Sequence, residues 1–136
     1  MVTILSRLFR VLTVLALLAS AATAFAQFGH PLKGSWSGDW GAGTANRTHV
    51  VLDFNWDGKV ISGSINPGAN SVTLTKATLD AATWMVHLEG DGKDAAGATV
   101  HYVIDGKMEN IGAPARVITG TWTEGSRKGT FKITRN

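Results

Sequence analysis

The sequence predicts an all-β protein, an eight-stranded antiparallel up-and-down barrel preceded by a cleaved signal peptide, with a β-sandwich as the alternative. Three observations carry that expectation. From residue 27 onward, short runs rich in Val, Ile, Thr and Trp alternate with turn residues at close spacing, and no helical period is sustained. A G-x-W tripeptide opens this region as Gly34-Ser35-Trp36 and returns near its end as Gly120-Thr121-Trp122. Counting register from hairpin to hairpin also keeps the apolar residues on one face, which a one-residue slip in any strand would reverse.

The leading segment is of another kind. Arg7 and Arg10 precede an apolar run from Val11 to Leu18, and Ala24-Phe25-Ala26 supplies an A-x-A cleavage site, the three parts of a secretory signal peptide. Residues 1–26 are therefore expected to be removed, leaving residues 27–136 as a single β-barrel domain that is exported to the periplasm or beyond. Removing Arg7 and Arg10 from the thirteen basic residues leaves eleven against ten acidic ones, so the mature domain is close to neutral. Five basic residues, Arg116, Arg127, Lys128, Lys132 and Arg135, oppose only Glu124 after position 115. They suggest a locally basic surface. The chain has no cysteine, which excludes disulfides, thiol catalysis and zinc–thiolate sites.

Strands are expected at Ser35–Trp40, Thr48–Trp56, Lys59–Ile65, Ser71–Thr78, Thr83–Glu89, Thr99–Lys107, Arg116–Thr123 and Gly129–Arg135. Asp57-Gly58 reads as a two-residue hairpin turn, which sets Phe54 opposite Ile61 and Leu52 opposite Gly63. The Asn66–Asn70 turn brings Ile65 to Val72, and a three-residue turn at Asp80–Ala82 aligns Leu74 with Leu88. A loop from Asp91 to Ala98 then aligns Leu88 with Val100 and Val86 with Tyr102. The same arithmetic sets Val100 near Trp122 and Trp122 near Phe131. The interior so defined holds Trp36, Trp40, Val50, Leu52, Phe54, Trp56, Ile61, Ile65, Val72, Leu74, Trp84, Val86, Leu88, Val100, Tyr102, Ile104, Ile118, Trp122, Phe131 and Ile133. Gly38, Gly63 and Gly120 share that face, where a glycine permits sharp strand coiling and leaves room for a large neighbour.

The run Leu32-Lys33-Gly34-Ser35-Trp36 ahead of an eight-strand meander resembles the calycins, the lipocalins and avidins, whose first strand carries a similar G-x-W. The resemblance implies that Arg135 packs near Trp36, as a late basic residue does in lipocalins. Small exported bacterial barrel domains offer a second likeness, matched by Leu32 to Gly38 and by Gly120 to Gly125. The polar residues with which avidins hold their ligand have no counterpart, so biotin binding does not carry over.

All five tryptophans fall on the inward register. Trp40, Trp56, Trp84 and Tyr102, near the strand ends, are the candidate ligand-binding residues, able to stack an apolar or aromatic molecule in a barrel mouth. The competing expectation is a core filled by the protein's own rings, as small eight-stranded barrels allow. On the outward face His87 and His101 come out opposite one another with Glu89 nearby, a minimal set for a metal ion, though without a third histidine. The outward face is otherwise Thr-rich and open to solvent. Asp39, Asp53 and Asp105 register outward, against acid–base chemistry inside the barrel. No phosphate loop, nucleophile elbow or basic aromatic platform is present, so no cofactor, enzymatic activity or nucleic-acid partner is expected. The sequence thus points to a non-catalytic binding protein for a small apolar ligand, or to a filled-core interaction domain that contacts another periplasmic or envelope protein.

Overall fold

The computed structural model describes residues 29–136; the expected signal peptide, residues 1–26, lies outside the described residues. Eight antiparallel strands follow in chain order: β1 (Gly34–Gly41), β2 (Thr48–Trp56), β3 (Ile61–Ile65), β4 (Val72–Asp80), β5 (Met85–Lys93), β6 (Thr99–Glu109), β7 (Val117–Glu124) and β8 (Arg127–Arg135). Each pairs with the next, and β8 pairs with β1, so the sheet closes into an up-and-down barrel and is not a sandwich. Closure satisfies both sheet edges, which an exposed sheet would leave open to other chains.

Several registers differ from those counted in the sequence. Ile65 meets Val72 as expected, but Phe54 faces Gly63 instead of Ile61, and Leu52 faces Ile65. The cause is a four-residue turn in place of two: Asp57 Oδ1 accepts hydrogen bonds from the amides of Lys59 and Val60 at 2.8 and 2.7 Å, and β3 begins only at Ile61. Leu88 faces Ile104, not Val100, and Val86 faces Gly106, not Tyr102, because β5 continues through Gly90 and Gly92 to Lys93. Trp122 faces Ile104 and Gly129, where Val100 and Phe131 were expected. These offsets are even, so the strands they join keep their inward faces.

The pairing of β4 with β5 departs by an odd step. A bulge between Leu74 and Lys76 leaves Leu74 opposite Gly90, not Leu88, and Ala77 opposite Leu88. The extra residue turns the second half of β4 over, so Ala77 and Leu79 join Val72 and Leu74 against the core. Trp84 is not in a strand. It ends the β4–β5 turn at φ 60°, a left-handed conformation that bulky residues seldom adopt, with its amide donating to Asp80 O at 2.7 Å.

The core runs the length of the barrel. Trp36, Val50, Leu52, Ile65, Val86, Leu88, Ile104, Met108, Ile118, Trp122 and Ile133 are essentially inaccessible, as is Leu32 ahead of β1. Leu32, Met108 and the half-buried Ile111 were not expected there, whereas Val100 and Trp56 are only half-buried. Glycine permits close backbone packing at Gly120, where an added Cβ would fall within the van der Waals shell of the Asp105 carbonyl and 2.6 Å from Gly106 Cα. The Phe131 ring covers the gap: its Cζ would lie 2.8 Å from a Cβ on Gly106. A bulky ring over paired glycines both bends the sheet and fills the hollow so made.

Candidate functional site

The alternation of the strands fixes where the four candidate ring residues go. Trp40 is the penultimate residue of β1 and Tyr102 lies early in β6, so both stand at the end of the barrel where Gly41 lies. Trp56 closes β2 and Trp84 precedes β5, which puts both at the opposite, Gly34 end. The structure therefore divides the candidate set into two pairs and brings no four of these rings around one cavity.

At the Gly41 end the rings fill the mouth themselves. Trp40, 4% exposed, stacks on Trp122 with centroids 5.6 Å apart and planes 18° from parallel. Tyr102 and Phe131 meet the Trp122 ring edge-on at 6.4 and 5.8 Å. The Arg127 guanidinium lies 4.8 Å over the Trp40 ring and 3.7 Å from Glu124, whose Oε1 accepts a 2.7 Å hydrogen bond from the Tyr102 hydroxyl. Burial, and then the hydrogen bond to Glu124, push the Tyr102 phenol up to about 12. The Trp122 indole N–H has no hydrogen-bond partner; it is the one such buried side-chain atom among the described residues.

The Gly34 end is closed by chain rather than rings. Leu32 is fully buried, and its carbonyl accepts the Trp36 indole N–H at 2.8 Å. Arg116 fastens this lead-in segment to the β6–β7 connection, donating to Pro31 O at 2.9 Å and to Ile111 O at 3.2 Å. Arg135 stands across from Trp36 and donates to Lys33 O at 3.1 Å, with its guanidinium beside Gly34. Three of the five basic residues that suggested a basic surface, Arg116, Arg127 and Arg135, are thus engaged in closing the barrel ends. Trp56 and Trp84 remain half-buried at this end.

No polar or charged side chain is buried among the described residues. Asp39, Asp53 and Asp105 lie on the outside, as expected. The polar organisation of the molecule is instead on the outer wall. His87, Glu89 and Asp91 alternate outward along β5, and His101, Val103 and Asp105 do so along β6. His87 is not opposite His101: it faces Asp105, and His101 faces Asp91. The counted register would have set two imidazoles side by side, whereas the actual one pairs each with a carboxylate, the more favourable cross-strand arrangement.

The side chains close up accordingly. His87 Nδ1 meets Asp105 Oδ1 at 2.5 Å, and its Nε2 meets Glu89 Oε2 at 3.0 Å. His101 Nδ1 meets Asp91 Oδ1 at 2.7 Å, and its Nε2 lies 3.4 Å from the other Glu89 oxygen. Glu89 therefore sits between the imidazoles and joins them, and among the described residues no three such donors are set to share a metal ion. Two open depressions flank this row, one of about 390 Å³ bordered by Asp91, Lys93 and Thr99, the other of about 310 Å³ bordered by Met85, His87 and Asp105. The joined row was missed because its members come together only in the register reached by extending β5 to Lys93. The signal available was charge complementarity between His-x-Glu-x-Asp and His-x-Val-x-Asp on consecutive strands.

Comparison with protein-family models, with curated proteins and with solved structures finds no match to this chain.

Proposed function

We propose that this chain is an exported, non-catalytic interaction domain that works from the outside of a filled barrel, contacting another periplasmic or envelope protein. One observation carries the reading: the Gly41 end is occupied by the Trp40–Trp122 stack and covered by Arg127, while Leu32 occupies the other end. A lipocalin-type cup needs an open, apolar mouth with convergent polar groups. Here the rings that would line such a mouth are packed on each other, and the groups that would greet a ligand, Glu124 and Arg127, are engaged with Tyr102 and Trp40. Descent from a calycin-like barrel belongs to the same reading. It is supported by the Gly34-Ser35-Trp36 opening, with Arg135 across from Trp36.

The narrower ligand-binding reading rests on Trp56 and Trp84, the two candidate rings left partly accessible. The two readings separate in one pair of experiments. Photo-crosslinking residues placed in living cells at the outward Asn55, Thr78 and Thr121 should give a discrete protein adduct from one wall and not the others. Titration of the purified domain with fatty acids, pigments and small aromatics should leave tryptophan fluorescence and melting temperature unchanged. A saturable ligand response, with no adduct from any wall, would overturn the interaction reading.

A further inference from the structure

The row of five side chains on β5 and β6 has a proton requirement that can be counted. A carboxylate only accepts, and a neutral imidazole carries one N–H and one lone pair. Each histidine here presents both ring nitrogens to carboxylates: His87 to Asp105 and Glu89, His101 to Asp91 and Glu89. With both imidazoles neutral, two of these four contacts would set a lone pair against a carboxylate oxygen. All four are attractive together only when both rings are charged, giving the sequence Asp⁻, His⁺, Glu⁻, His⁺, Asp⁻ across the two strands.

We infer that Asp105, His87, Glu89, His101 and Asp91 form a proton-dependent clasp across β5 and β6, complete when both histidines are charged, whose opening turns this wall from near charge balance to anionic. The three carboxylates and two imidazolium groups, with Lys76 of β4 at 4.0 Å from Glu89, sum to zero formal charge. Loss of the two imidazole protons leaves two negative charges on the same surface. The surroundings do not supply substitutes. On β4 Thr78 faces His87, on β7 Thr121 faces Asp105 and Thr123 faces Val103, and at the ends of the row Lys93 donates to Thr99 while Lys107 stands across from Met85.

The direction of the linkage follows. The hydrogen bond to Asp105, then that to Glu89, raises the His87 pKa, and the one to Asp91 foremost raises that of His101. A raised imidazole contributes stability that is fully present below its ordinary value of 6.5 and is lost as pH rises through the folded value. Glu89 is lowered, first by His87, so its share is present above the ordinary 4.5 and lost as pH falls through the folded value. The clasp is therefore strongest in the mildly acidic window between those limits, and opens towards alkaline pH. If the outer wall is the contact surface proposed above, its charge, and with it the choice of partner, is set by ambient pH.

The clasp itself is tested without any partner. Imidazole proton signals, assigned with His87→Gln and His101→Gln, are followed by NMR against pH in the folded protein and in urea. Both midpoints are expected above those of the unfolded chain, and each should fall in Glu89→Gln. In parallel, melting temperature is measured from pH 6 to pH 8, where the wild type should lose stability and the His87→Gln/His101→Gln double variant should show a flatter profile. Midpoints equal to those of the unfolded chain, or an unchanged slope in the double variant, would overturn the inference. Because neither readout involves a binding partner, failure of the clasp is distinguishable from failure of the interaction reading.

Discussion

Trp122→Ala tests whether the barrel is filled. Truncating a buried tryptophan costs about 3–5 kcal/mol, of which the aromatic contacts with Trp40, Tyr102 and Phe131 are part. The same change removes a buried N–H that has no partner, which returns about 1–3 kcal/mol. The packing loss wins, for a net destabilisation of about 2 kcal/mol at the middle of the two ranges, against a total of roughly 5–15 kcal/mol for a domain of this size. The variant should thus fold, melting roughly 8–16 °C lower. It should also hold a dry, aromatic-walled cavity where the wild type has the Trp122 ring, and such cavities take small aromatics. At ten times its dissociation constant, indole would restore about 1.4 kcal/mol, or roughly 6–11 °C, to the variant and nothing to the wild type. Thermal denaturation by circular dichroism with and without indole reads both. A wild-type protein stabilised as much as the variant would refute the reasoning, since it would already contain the space that Trp122 is said to fill.

Three further outcomes follow from features described above. Gly120→Ala places a methyl group against the Asp105 carbonyl and Gly106 Cα, both backbone, so β6 and β7 must part; a loss of about 3–5 kcal/mol is expected in urea denaturation. Gly112→Ala, with nothing within 4 Å of the added carbon, should stay within about 0.5 kcal/mol. Tyr102 is the sole tyrosine of the chain, so phenolate absorbance reports it alone, with a midpoint near 12 in the folded protein and near the ordinary 10 in urea. Its raised value means that its stabilising share is complete below pH 10 and lost towards pH 12, so the domain should weaken over that interval and Tyr102→Phe should not.

Alternation made the fold legible. Because side chains along a strand repeat every two residues, miscounting a turn by an even number, as at Asp57–Val60 or Asp94–Ala98, moves partners without exposing the core. Hence Leu52, Phe54, Val86 and Leu88 are placed inside by the sequence while their expected partners differ from the actual ones. What stayed hidden has physical causes. The bulge at Leu74–Lys76 has no local sequence signal, so Ala77 and Leu79 were left out of the core. Gly90 and Gly92 look like loop residues, yet they lie inside the barrel, where Gly92 leaves room for Val72 and the Tyr102 ring. Leu32 and Ile111 reach the core from connections, where periodicity does not apply. The candidate site suffered most, because a cluster depends on which residues face each other rather than on which way they point. That dependence hid the clasp, whereas the four rings divide between two ends because successive strands run in opposite directions.

The seam between β1 and β8 sets the order of assembly. Trp36 pairs there with Arg135, and the Ser37 hydroxyl donates to Asn136 across 99 positions of sequence. Each of the other seven strand pairs joins neighbours in the chain and can form as a local hairpin. The seam gains its contacts only after nearly the entire loop of chain has been ordered, the costly, long-range kind of step that slows β-barrel folding. Until β8 arrives, β1 presents an open edge, and Trp40 lacks both Arg127 and the Phe131 strand beside it. A chain still emerging from the ribosome therefore has no finished barrel, and one stalled short of β8 offers an adhesive edge to its neighbours.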